Sequence, residues 1–317
     1  MRFALMTEPQ QGLTYDEILA LARSAEAAGL EAFFRSDHYG SFAGPADGPT
    51  TDAWATLAGL ARDTSTIRIG SLVSPVTFRV PGSFAKVVAT VDEMSGGRVE
   101  VGMGAGWNED EHSELGIPFP PLRERYDELE ESLAIIHGLW TEPDGWSYQG
   151  QHWQLRSAHL RPRPTFSGRR HPYLILGGEG GPRLARLVAA YADEFNRTSA
   201  SPDNVRGAYA RVRAACEAAD RDPDSVVLSA MVGVLVASSE NEMRDRVERQ
   251  LAYFGSGGGS ADDWLAERRD RWIMGTPDEA RLRIEEFAAA GVQRIMLQDF
   301  LPHDLEMVAL LGQIVAD

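Results

Sequence analysis

The stretch YLILGGEGGPRLARLV, residues 173–188, carries a complete structural unit. An apolar run rich in β-formers reads as a strand covered on both faces. Gly177, Gly178, Gly180 and Gly181 then predict a tight turn, and Pro182 suits the first position of a helix. Strand, turn and helix in that order form the repeating element of a parallel sheet with crossover helices.

Working outward in both directions, the same element recurs along the chain. FALMTE (3–8), AFFRSD (32–37), IRIGSLVS (67–74), RVEVGMGA (98–105), DEFNRT (193–198), VVLSAMVGVLV (226–236) and RIMLQD (294–299) complete a set of eight candidate strands with 173–178. Eight units match a closed (β/α)8 TIM barrel better than an open doubly wound sheet, which more often has five or six strands. The expected architecture is therefore an α/β barrel forming one domain over residues 1–317.

Helix signals agree with it. TYDE (14–17) and TPDE (276–279) place a threonine three residues before a glutamate, the spacing of a capping box. Within 122–140, Leu122, Tyr126, Leu129, Leu133, Ile136 and Trp140 recur at helical spacing and predict one apolar stripe docked on the sheet. Two stretches break the alternation, 140–172 and 254–271, and are expected as insertions on barrel loops. The Gly/Ser run at Gly255–Ser260 predicts a mobile lid.

The formal net charge of −16 disfavours a nucleic acid or anionic membrane partner and suits a small-molecule substrate. No run of eighteen apolar residues occurs and the amino terminus lacks a signal pattern, so a cytoplasmic protein without membrane spans is expected. The single Cys216 lies in a helical pattern and reads as a core residue.

Chemistry in such barrels gathers at the strand ends. Asp37 and His38 follow the second strand, and His38 titrates near neutrality, suiting proton handling or merely a bond to a carbonyl. GMGAGWNEDE (102–111) ends the fourth strand. Gly104, Ala105, Gly106 and Trp107 suit either the close approach of a flat ligand or a tight turn beside a core tryptophan. Gly177, Gly178, Glu179, Gly180 and Gly181 precede a helix and suit an anion held by free amides, or a connector without a ligand. Ser74 reads as satisfying loop amides. The acidic run around His112 has no familiar metal-helix spacing and reads as a solvated loop, so no metal site is expected.

With these residues in place, the chain resembles the bacterial luciferase-like superfamily, in particular its coenzyme F420-dependent oxidoreductases. The resemblance is carried by SDHY (36–39), GSLVSPVTFR (70–79), GGRVEVGMGAGWNEDEHSELGIPFP (96–120), YLILGGEG with ADEFN (173–196), and GTPDEARLRIEEFAAAGVQRIMLQ (275–298). It implies hydride transfer between F420 and a small organic substrate, with FMN and oxygen-dependent monooxygenation, served by a partner reductase, as the alternative. It also implies a phosphate at Gly177 to Gly181, His38 beside the reacting centre, a non-proline cis peptide at Ser71–Leu72 against the ring, and a homodimer. The family's sugar-phosphate branch carries a glutamate where this chain has Trp107, which points to an apolar or aromatic substrate. Arg156, Arg161, Arg163, Arg169 and Arg170 would suit a polyglutamate tail or pair with surface carboxylates.

Overall fold

Each of the eight apolar runs forms a strand, and the strands close on themselves. The computed structural model describes residues 1–42, 48–164, 171–254 and 260–316. The first half runs β1 (Arg2–Thr7), α1 (Tyr15–Ala27), β2 (Ala32–Arg35), α2 (Ala53–Asp63), β3 (Arg68–Pro75), α3 (Pro81–Ser95), β4 (Val99–Gly104), α4 (Glu109–Leu115) and α5 (Leu122–Thr141). A hairpin follows, β5 (Trp146–Gln149) and β6 (Gln154–Ala158). Then come β7 (Tyr173–Gly178), α6 (Pro182–Tyr191), β8 (Glu194–Arg197), α7 (Pro202–Ala218) and β9 (Val227–Val236). The chain ends in α8 (Glu240–Phe254), α9 (Ala261–Arg268), β10 (Ile273–Gly275), α10 (Pro277–Ala289), β11 (Arg294–Asp299) and α11 (Leu305–Ala316).

The parallel ring is β1–β2–β3–β4–β7–β8–β9–β11, with β11 pairing back to β1. β10 adds a short parallel pairing to the end of β9. The expected barrel is therefore present. Helices α1 and α10 start with the two anticipated capping boxes, Thr14 with Glu17 and Thr276 with Glu279.

Alternation along each strand divides the apolar residues into two cores. Outward residues such as Phe33, Ile69, Val101 and Leu176 pack beneath the helices. Inward residues Ala4, Met6, Phe34, Leu72, Ile175 and Met296 fill the barrel. On α5, Leu129, Leu133, Ile136 and Trp140 are buried as anticipated and Tyr126 partly so. Leu122 departs from the stripe and is exposed, because it opens the helix before the first turn reaches the sheet.

The amino-terminal end of the barrel is plugged by charge. Arg294 is fully buried, 2.7 Å from Glu100 and 3.1 Å from Glu194, while Tyr173 donates to Glu194 and Arg68 binds Glu100. Burial alone would lower the Arg294 pKa, but Glu100, Glu194 and Glu31 outweigh it and hold the guanidinium charged. The ionic plug leaves the opposite rim for chemistry.

The insertion at 140–172 contains the β5–β6 hairpin, which packs on α5. That at 254–271 contains α9. Gly255–Gly259, most of the expected lid, lies outside the described residues. Among the described residues no helix is long and apolar enough to cross a membrane.

Candidate active site

His38 stands just past β2 with its side chain 11% exposed, and its Nδ1 lies 2.8 Å from Glu111 Oε1. Glu111 accepts further bonds from the Tyr39 and Gly40 backbone N–H groups. Burial alone would lower the imidazole pKa, yet the Glu111 bond and the charges of Glu111, Glu8 and Asp37 raise it. The same bond holds Glu111 below the usual carboxylate range against the upward push of burial. The pairing thus favours an imidazolium on a carboxylate over the neutral pair.

Glu8, beyond the end of β1, supplies the second nearby negative charge. It is fixed by Gln10 at 2.9 Å and by Gln298 of β11 at 2.6 Å, and Gln10 in turn accepts from Ser36. Three strand ends therefore converge on one polar pocket floor.

The mouth above is aromatic. Trp107 is 62% exposed and Phe42 43% exposed, and each meets the His38 ring edge-on, with centroids 5.5 and 5.1 Å away. Large apolar surface left open beside an imidazole marks a place where an organic ligand gains by binding. The alternative of a core position for Trp107 is excluded by its exposure.

Asp37 does not share this mouth. It is buried on the outward side of the barrel, accepting from Ser74 at 2.6 Å and from Arg79 at 2.5 and 3.2 Å. Alternation explains the correction, since Asp37 continues the outward row of Phe33 and Arg35 while His38 takes the inward one. Ser74, read as a loop-amide partner, instead links Asp37, Ser71 and the Trp54 indole.

The non-proline cis peptide joins Leu72 and Val73, one residue beyond the expected Ser71–Leu72 bond. It coincides with the register shift between Ser71 and Ser74 against β4, so the bulge is real and its position is displaced. Val73 points into the barrel against three glycines: a Cβ on Gly104 or Gly177 would approach its methyl groups to 2.8 or 2.7 Å. A Cβ on Gly102 would collide with the Ser71 carbonyl. These three glycines admit the bulge itself. Gly106 differs, taking a φ of 77° in the turn that presents Trp107, while the Ala105 carbonyl accepts from Arg125.

At the end of β7, Gly178 and Gly180 have φ of 152° and 72°, and Gly181 caps α6 without a side-chain bond. Nothing lies within 4 Å of a Cβ at Gly181, and Glu179 is exposed. The free amides of this helix start fit a phosphate group. Arg211 fixes the turn through the Gly180 carbonyl.

Two expectations for the acidic run are corrected. Residues 109–115 are helical, and Glu111 and His112 are buried. His112 Nε2 lies 2.7 Å from Thr77 Oγ1 and Nδ1 2.6 Å from the Asn108 carbonyl, so it braces the turn. Of the five loop arginines, Arg161 and Arg163 both bind Asp144, Arg156 is exposed, and Arg169 and Arg170 lie outside the described residues.

Residues 1–294 match the model of the luciferase-like monooxygenase family. The F420-dependent glucose-6-phosphate dehydrogenase of Amycolatopsis mediterranei (strain U-32) is 31% identical over 184 residues, covering 58% of this chain and 53% of that protein, so the alignment spans about half its length. The FMNH2-dependent dimethylsulfone monooxygenase of Pseudomonas putida is 27% identical over 259 residues, 74% of this chain and 69% of its own. An F420-dependent secondary alcohol dehydrogenase, solved with an F420–acetone adduct, superposes with a TM-score of 0.83 at 20% identity over 99% of this chain and 98% of that one. Fold, strand-end geometry and family match agree: the chain belongs to the luciferase-like monooxygenase family.

Proposed function

We propose that this protein is an F420-dependent oxidoreductase that moves a hydride between the deazaflavin and a small apolar or aromatic substrate, with His38 as the proton-handling residue. The observation that carries the reading is the His38–Glu111 pair beneath the open Trp107 and Phe42 faces. Relatives and similar folds that use F420 support the choice of cofactor.

The residues present fit such a group. The uncapped start of α6 at Gly181 would take its phosphate, and the Leu72–Val73 bulge would meet its ring. When bound, the deazaflavin supplies the carbon that gives or takes hydride. The protein's own part is positioning and charge. With Nδ1 tied to Glu111, the other imidazole nitrogen, Nε2, is left for the substrate oxygen, where an imidazolium donates a proton or stabilises developing negative charge. The exposed faces of Trp107 and Phe42, which meet edge to face, would pack against an apolar substrate and keep water away. A sugar phosphate fits poorly, since Trp107 offers neither charge nor acceptor to its hydroxyls.

A second reading is FMN-dependent monooxygenation, supported by the match to the dimethylsulfone enzyme over 74% of this chain. In both readings the protein works as a homodimer on a small molecule. Assay with F420 and its reduced form against a panel of ketones, enones, imines and alcohols tests the proposal. Turnover with F420 supports it, and oxygen-dependent turnover with reduced FMN alone would replace it.

A further inference from the structure

Away from the barrel mouth, Glu124, Glu128 and His152 bring three possible ligand atoms within 4.8 Å of one another. Glu124 and Glu128 lie one turn apart on α5, and His152 sits at the tip of the β5–β6 hairpin. Its Nδ1 is 4.0 Å from Glu128 Oε1.

The hairpin tip is held in place before any ion arrives. Glu131, the next turn of α5, accepts from the backbone N–H groups of Gln151 at 2.6 Å, of His152 at 3.1 Å and of Trp153 at 3.1 Å. The turn also closes through Gly150 N–H to the Trp153 carbonyl at 2.9 Å. The imidazole is therefore presented to the two carboxylates by a fixed backbone, and its ordering cost is already met.

What is missing there is a cation. Like charges at i,i+4 repel on a helix, and neither carboxylate has an arginine or lysine ion pair among the described residues. The adjacent Arg125 acts on Glu128 only through space, its guanidinium bonding the Ala105 and Pro120 carbonyls and lying over the Phe119 ring at 3.8 Å. Two oxygens and one imidazole nitrogen with an open outer side are the donor set of a borderline divalent ion completed by water. Donors around such an ion sit about 3.4 Å apart, so a small side-chain rotation closes the present spacing.

We propose that Glu124, Glu128 and His152 bind one transition-metal dication of the zinc type, fastening the inserted hairpin to α5. The imidazole selects against calcium and magnesium, which prefer all-oxygen shells.

The test uses untagged, full-length protein titrated with zinc chloride by calorimetry, with cobalt as a spectroscopic substitute. One equivalent is expected to bind with a dissociation constant of about 10 μM or below, raising the thermal midpoint. His152→Ala and Glu124→Gln should each weaken binding at least about tenfold, the cost of losing one of three protein ligands. Glu124 is exposed, so its substitution leaves folding intact. His137→Ala, at the separate His137–His171 pair, should bind zinc as the parent does. Unchanged affinity in both His152→Ala and Glu124→Gln, no saturable binding by the parent, or loss only in His137→Ala would overturn the site. None of these outcomes depends on F420 or on turnover.

Discussion

His38 Nδ1 is held 2.8 Å from Glu111 Oε1 by a carboxylate that is itself fixed to the Tyr39 and Gly40 amides. The pair links the end of β2 to α4, and it sets the protonation state of the residue beside the open aromatic mouth.

Replacing Glu111 by glutamine removes the charge that raises the His38 pKa. Folding favours the imidazolium here, so the acid form persists above the ordinary histidine range and is lost as pH rises through the raised value. In Glu111→Gln the alkaline limb of the kcat profile should move to lower pH, so that activity falls most on the alkaline side of neutrality. Cofactor affinity should hold. A limb that stays in place would show that another group titrates.

Trp107 offers more exposed ring than any other tryptophan in the described chain. A stacked aromatic contact contributes about 0.5–1.5 kcal/mol beyond area burial. Trp107→Ala should therefore raise KM for an aromatic substrate about tenfold and for a small polar one hardly at all. Equal changes for both substrates would remove Trp107 from recognition.

Gly181 has room for a side chain and a φ of −63°, so aspartate fits there without strain. As an N-cap it would satisfy the α6 amides and stabilise the helix start. The same carboxylate would occupy the proposed phosphate position. Gly181→Asp should keep or raise the thermal midpoint while weakening F420 binding by about tenfold or more. Undiminished binding would place the phosphate elsewhere.

Asp299 is buried outside the barrel, with Oδ1 accepting the Leu301 N–H at 2.7 Å and no bond to Oδ2 among the described residues. Burial pushes its pKa up to about 7, with Asp304 adding to the rise. Because the folded value lies above the unfolded one, the stabilisation is complete in acid and fades as pH climbs towards neutrality. At about 1.4 kcal/mol per unit, Asp299→Asn should be more stable than the parent at pH 8 by at most about 4 kcal/mol. The gain should vanish near pH 4 in denaturant titrations. An equal difference at both pH values would show that Asp299 stays in one state.

The fold was legible because strands buried on both faces read as apolar runs, as at YLILGG, and because Thr14 and Thr276 sit three residues before their glutamates. The site was legible in part. His38 and Trp107 end strands and stand at the mouth, but Asp37 faces outward since adjacent residues alternate. Glu111 escaped notice because α4 buries a glutamate and a histidine where a helix ordinarily buries leucines, so charge alone suggested solvent. The glycines of β4 and β7 face Val73, a partner more than twenty residues from any of them, which no local pattern reveals. His152 joins Glu124 and Glu128 only through the hairpin, and their separation in the chain conceals the cluster.

The most direct measurement is a fluorescence titration of purified protein with F420 and, separately, with FMN, repeated on Gly181→Asp. The expected result is saturable, micromolar F420 binding that weakens in the variant, with FMN bound much less tightly. Tight FMN binding with none for F420, or F420 binding indifferent to Gly181, would contradict the proposed cofactor and its seat.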